Sequence, residues 1–159
     1  MIVIGVDPGT GRTGWGLVRS GGSRIEHVDC GVITPGTRLP LSGKVKLIHD
    51  RLAAILRLHA PDAMAVEEVF VAKNSHSALM LGHARGAVLL AGAGADIPIF
   101  GYSPTTVKKG ITGNGSATKH QVQEMVKLLL RLKEIAQEDA ADALALAICH
   151  TFRSPAVQQ

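Results

Sequence analysis

The sequence predicts an α/β fold, a mixed five-stranded sheet flanked by helices. Three observations lead there: the chain opens on three β-branched runs separated by glycine-rich turns, strand-like and helical periods then alternate, and it closes on two helical segments. With 159 residues, 46% of them hydrophobic, a single domain spanning 1–159 with its own core and no linker is expected.

Ile2-Val3-Ile4-Gly5-Val6 reads as a buried strand stopped by the turn Asp7-Pro8-Gly9, which puts Asp7 at a strand end. Two more strands are expected, around Trp15 to Val18 and from Ile25 to Ile33, joined at Gly21-Gly22 into an antiparallel series. Leu47, Ile48, Leu52, Ile55 and Leu56 recur at helical spacing between Pro40 and Pro61, with lysines and arginines on other faces. Ala63 to Val66 forms a short strand ending on Glu67-Glu68, Ser77 to Leu90 a helix, and Ile97 to Phe100 the next strand. Two helices follow, Thr118 to Leu132, where Thr118 and Gln121 fit a capping box, and Asp139 to Phe152.

The chain lacks eighteen uninterrupted apolar residues and a charged leader before an apolar stretch, so a cytoplasmic protein with no membrane partner is expected. Cys30 and Cys149 sit in apolar segments without zinc-ligand spacing and read as inert core residues. The histidines, His49, His76, His83, His120 and His150 among them, form no metal-ligand spacing either. A net charge of +4 and a pI near 9.3 favour an anionic partner.

The acids carry the chemistry. Asp7 and Glu67 end the first and fourth strands, and ligands bind at the carboxyl ends of strands in open α/β sheets. Asp139 and Asp142, three apart, project from one face of a helix otherwise built of Ala, Leu and Ile. Taken singly, each has a structural explanation: a turn aspartate, a strand-end charge, an N-cap acid. Asp142 fits one least, because an Ala- and Leu-rich helix offers little exposed face to hold it. Together they need cations, and hard oxygen ligands in this number suit Mg²⁺ or Mn²⁺, two ions per site, for hydrolysis of a phosphodiester.

Five blocks then give a resemblance. Ile4-Gly5-Val6-Asp7-Pro8-Gly9, Val66-Glu67-Glu68-Val69-Phe70-Val71-Ala72-Lys73-Asn74, Gly82-His83-Ala84-Arg85-Gly86, Gly113-Asn114-Gly115-Ser116-Ala117 and Asp139-Ala140-Ala141-Asp142-Ala143-Leu144-Ala145 are similar, in order and spacing, to RuvC-type Holliday junction resolvases. The resemblance implies a ribonuclease-H-like fold and a homodimer. It further implies symmetrical nicking of four-way junction DNA to leave 5′-phosphate and 3′-hydroxyl ends, and work beside the RuvA and RuvB branch-migration proteins.

By position, Asp7, Glu67, Asp139 and Asp142 match that family's catalytic metal-binding acids. Glu68 departs from it, since glutamine often stands there, and strand alternation should point Glu68 away from Glu67. Some relatives carry histidine where Asp139 stands. Lys73, Lys108 and Lys119 match basic positions, with Lys109 and Arg12 nearby, all expected in loops or helix starts and in contact with phosphates. Phe70 would stack on an unpaired base at the crossover. Asn74 would continue the same DNA-facing loop, or cap the following helix.

Two readings from other classes compete. Asp7-Pro8-Gly9-Thr10 also fits the phosphate-binding strand end of an actin-like-superfamily phosphotransferase or ATPase, although one lobe of this length does not enclose a nucleotide. A junction-binding module without catalysis would keep the basic surface, but acids facing phosphate would serve it poorly.

Overall fold

A computed structural model describes residues 1–21, 24–68, 74–134 and 137–154. Strand β1 (Ile2–Asp7) is buried on both faces, which is why it reads as a continuous apolar run. It lies at the centre of the sheet. Antiparallel β2 (Thr13–Gly21) and β3 (Arg24–Ile33) extend from one side, and parallel β4 (Ala63–Glu67) and β5 (Ile99–Tyr102) from the other. The order β3-β2-β1-β4-β5 makes the sheet mixed, as expected. A register shift between Leu17 and Val18 interrupts the β2–β3 ladder.

Alternation splits the core into two layers. Ile4, Val6, Leu17, Met64 and Val66 face α1 (Leu41–His59) and α2 (Ser75–Gly94), packing with Ile48, Leu52 and Val88. Val3, Val18 and Ala65 face α5 (Glu138–Arg153), which is itself covered by α3 (Pro104–Thr112) and α4 (Lys119–Leu129). Enclosed on both sides, α5 is buried continuously from Ala143 to Thr151, so its sequence is apolar around most of its circumference.

Most expected elements form, with differences that have physical causes. The missed element is α3, although its punctuation is all in the sequence: Ser103 accepts a hydrogen bond from the Thr106 N–H at 3.2 Å, Pro104 opens the helix, and Gly113 closes it at φ 77°. Strand β5 starts two residues later than expected, because Pro98 has no N–H for the ladder and contributes only its carbonyl, to Met64. Helix α2 runs longer at both ends, from its Asn74 cap to Gly94. Helix α4 ends at Leu129, ahead of Arg131 at a positive φ of 53°. Cys149 is buried, whereas Cys30 is only half-buried on β3. Among the described residues no helix is long and apolar enough to cross a membrane.

Candidate active site

Parallel pairing of β1 with β4 sets Val6 beside Val66, so Asp7 and Glu67 leave the sheet as neighbours at the carboxyl ends of the two strands. Both sit on the α5 side, in line with Gly5 and Ala65. Their carboxyls lie close enough to share a hydrogen bond. Glu68 takes the opposite face, as expected: its side chain fills the space over Gly101, and its N–H donates to the Tyr102 carbonyl at 2.8 Å.

Helix α5 delivers the other two acids because glycines let it down onto the sheet. A methyl group on Gly5 would strike the Ala143 carbonyl, one on Gly14 the Asp139 carbonyl, and one on Gly16 the Leu144 side chain at 2.6 Å. The helix N-terminus thereby lies over the strand ends, with Asp139 and Asp142 half-buried beside Asp7 and Glu67. Sequence reasoning missed these glycines. Their signal was present, since glycine inside a strand marks a close backbone approach.

Crowding shows in the titration of the acids. Burial first, then the charges of Glu67 and Asp142, push Asp7 up to about 8. Glu67 is also raised by burial and by Asp142, against the hydrogen bond from Asp7 and the charge of Lys119. Burial raises Asp142 as well, with Lys119 opposing. The site is short of positive charge.

Two basic residues supply part of it. Lys119 Nζ lies 2.5 Å from Glu138 Oε1 and 2.8 Å from Asp142 Oδ2, and Arg12 Nη1 lies 3.5 Å from Asp139 Oδ2. Lys119 opens α4 behind a capping box in which the Thr118 hydroxyl accepts from the Gln121 N–H and the Gln121 side chain from the Thr118 N–H. A cation in a first turn opposes the helix dipole, and the two carboxylates outweigh that: against the burial that would lower it, they push the ammonium pKa up. Glu138 is a second participant that sequence reasoning missed. The acid next to Asp139 gave no signal without knowledge that Lys119 lies opposite.

A crevice of about 210 Å³ opens here, lined by Glu67, Asp142, Lys108, Lys119 and apolar residues including Val107 and Val122. Lys108 and Lys109 belong to the later turns of α3, not to a loop or a helix start. The Ser103 cap starts α3 early enough to enclose both, and of the two only Lys108 lines the crevice. Asn74 accepts from the Ser77 N–H at 2.8 Å and so caps α2. Phe70 and Lys73 lie outside the described residues.

As they stand, no three acids, histidines or cysteines among the described residues enclose one ion, and Lys119 holds Asp142 while Arg12 holds Asp139. The donor set nonetheless suits a hard divalent cation. All four groups are carboxylates; two already carry a cation, the Lys119 ammonium on Asp142 and the Arg12 guanidinium on Asp139, and burial together with mutual repulsion disfavours charge on Asp7 beside Glu67.

Residues 3–150 match the family described as crossover junction endodeoxyribonuclease RuvC. The chain belongs to this family. It is 52% identical over 150 residues to the RuvC of Syntrophotalea carbinolica, covering 94% of this chain and 93% of that protein, and 47% identical to that of Geotalea uraniireducens, covering 97% and 90%. Among solved structures, T. thermophilus RuvC in complex with Holliday junction substrate superimposes with a TM-score of 0.92 at 37% identity, covering 96% of this chain and 93% of that one. The yeast mitochondrial Holliday junction resolvase Ydc2, 13% identical with a TM-score of 0.64 over 94% of this chain and 78% of its own, shares the fold. The sheet with its flanking helices is thus the ribonuclease-H-like arrangement of the resolvases. RuvC-family membership makes the chain a metal-dependent endodeoxyribonuclease and leaves no place for the phosphotransferase alternative.

Proposed function

We propose that Asp7, Glu67, Asp139 and Asp142 form the catalytic centre of this RuvC-family chain and hold two Mg²⁺ or Mn²⁺ ions. With them it nicks two strands of a four-way DNA junction symmetrically. The observation that carries the assignment is the meeting of two adjacent strand-end carboxyls with the α5 acids that Gly5 and Gly14 bring down onto them. Ions held there would supply the Lewis-acid charge that activates water and stabilises the leaving 3′-oxygen. The protein's own part is to fix the carboxylate oxygens on rigid elements and to line the approach with cations. Lys108 and Lys119 border the crevice and Arg12 stands exposed beside Asp139, and these cations would meet phosphate oxygens. Phe70, Lys73 and Asn74, which follow β4 in the sequence, are the further DNA-contacting residues of this reading.

Paired nicks need two centres, and the described residues of one chain bring together one such cluster of acids. We infer a homodimer through α2, where Leu79 and Leu90 are exposed and Gly82 and Gly86 have open space above them. At 100° per residue these four fall on one stripe, opposite the buried Ala84, Val88 and Ala91. Four-way junctions of chromosomal DNA would place this work in the cytoplasm, beside the RuvA and RuvB branch-migration proteins.

The deciding experiment is cleavage of a synthetic mobile four-way junction with Mg²⁺ or Mn²⁺, beside linear duplex and RNA–DNA hybrid controls. Symmetrical nicks confined to the junction, lost with EDTA, are expected. Junction binding without cutting would leave a binding module, and equal cutting of the hybrid would remove the substrate assignment.

A further inference from the structure

Lys119 spans two environments. Its root is fixed by the capping box of α4, while its flexible stem carries the ammonium to two carboxylates of different character on α5. Asp142 is part of the acidic cluster, with its side chain 24% exposed; Glu138 stands at the wet rim, 63% exposed, and does not line the crevice. Lys119 holds Oδ2 of Asp142, one of the acids of the proposed metal cluster, and a divalent ion drawing on that carboxylate would weaken its hold on the ammonium. Ion and ammonium therefore compete for it. An ammonium driven from Asp142 with no other partner would leave an unpaired cation beside the incoming one, whereas Glu138, within 2.5 Å of Nζ, can keep it without any movement of the backbone.

Resting on the metal-dependent reading of the cluster, we propose that Lys119 is a displaceable internal cation and that Glu138 is the positioning residue that receives it. With the ion absent, Lys119 bridges Asp142 and Glu138. With the ion present, Lys119 releases Asp142 and stays on Glu138 at the crevice edge, facing the path of the phosphate. Glu138 thus acts through Lys119, lowering the cost of freeing Asp142, and touches neither the reacting atoms nor the ion. Arg12 and Asp139, the other pair at this end of α5, are not part of the exchange.

A double-mutant cycle on Mn²⁺ binding, read by electron paramagnetic resonance of free Mn²⁺ without DNA, tests this. Glu138→Gln is expected to weaken Mn²⁺ binding about two- to fivefold, the range of a half-exposed ion pair. In a Lys119→Met background the same change is expected to have no effect, because the residue through which Glu138 acts is gone. Equal weakening in both backgrounds would mean that Glu138 attracts the ion directly, and no weakening in either would mean that it does nothing; both outcomes overturn the proposal. Circular dichroism verifies folding, and Lys119→Gln replaces the methionine variant should that one unfold. Absence of Mn²⁺ binding by the unsubstituted protein would overturn the metal reading itself, an outcome separate from the other two.

Discussion

Gly5 lies directly beneath the Ala143 carbonyl, so β1 and α5 meet backbone to backbone one turn behind the acidic cluster. Nothing at this contact can yield as a side chain would: a Cβ at Gly5 meets main-chain atoms of Ala143 and Ala147. Gly5→Ala is therefore expected to cost about 2–3 kcal/mol of stability through overpacking and to weaken Mn²⁺ binding by lifting Asp142 from Glu67. Gly11→Ala, with open space around its Cβ, should stay within about 0.5 kcal/mol. Urea denaturation compares the two, and equal midpoints would show that the close approach is not needed.

Asp7 carries a cost in the metal-free protein. Its folded pKa of about 8 lies above its ordinary 3.8, so between these values the folded chain keeps a proton that the unfolded chain has released. The sign follows: stability is greatest below about pH 4 as far as this group is concerned, and declines as pH rises toward 8. In EDTA, urea midpoints should fall from pH 5 to pH 8, and Asp7→Asn should remove part of that slope and raise the midpoint at pH 8. The same variant should bind junctions yet fail to cut them, since it loses a metal ligand and keeps its phosphate contacts. An unaltered slope would assign the titration to another group, and normal cutting would remove Asp7 from the catalytic centre.

How far the sequence could be read depended on whether a feature is local. Strand ends at Asp7 and Glu67, the Thr118–Gln121 box and the apolar periodicity of α1 are properties of neighbouring residues, and all were legible. So was the Ser103-Pro104 start of α3, although a nine-residue helix whose buried apolar face amounts to Val107 and Ile111 carries little periodic signal. The Glu138–Lys119 bridge was not legible: it joins two helices across a long stretch of chain, and each residue alone resembles an ordinary surface charge. The matching blocks located the acids without revealing that Lys119 and Arg12 already hold two of them.

Lys108 should be the better phosphate contact of the two lysines in the crevice before metal binds. It lines the crevice beside Glu67 and makes no ion pair among the described residues, whereas Lys119 is held by two acids. Lys108→Ala is expected to weaken junction binding in EDTA and to flatten its salt dependence by about 0.9 in log–log slope, as for one lost phosphate contact. Lys119→Ala should change the slope less under the same conditions. Fluorescence anisotropy with a labelled junction between low and moderate salt checks both, and a larger slope change for Lys119 would reverse the ranking.

The outer stripe of α2 should govern assembly. Leu79 and Leu90 stand 61% and 63% exposed on a helix whose other face is already packed, and Gly82 and Gly86 between them would let a second helix approach closely. Leu90→Asp places a charge where a partner would bury an apolar side chain, while nothing on the packed side of α2 changes. The variant is expected to keep its thermal unfolding midpoint in the dilute, monomeric range and to elute at half the mass of the unsubstituted protein by light scattering. It should still bind a junction, more weakly, and nick one strand without coordination with the second, because a lone chain brings one acidic cluster to a substrate with two cleavage sites. A Leu90→Asp protein of unchanged mass that still made paired nicks would exclude α2 as the surface joining the two copies.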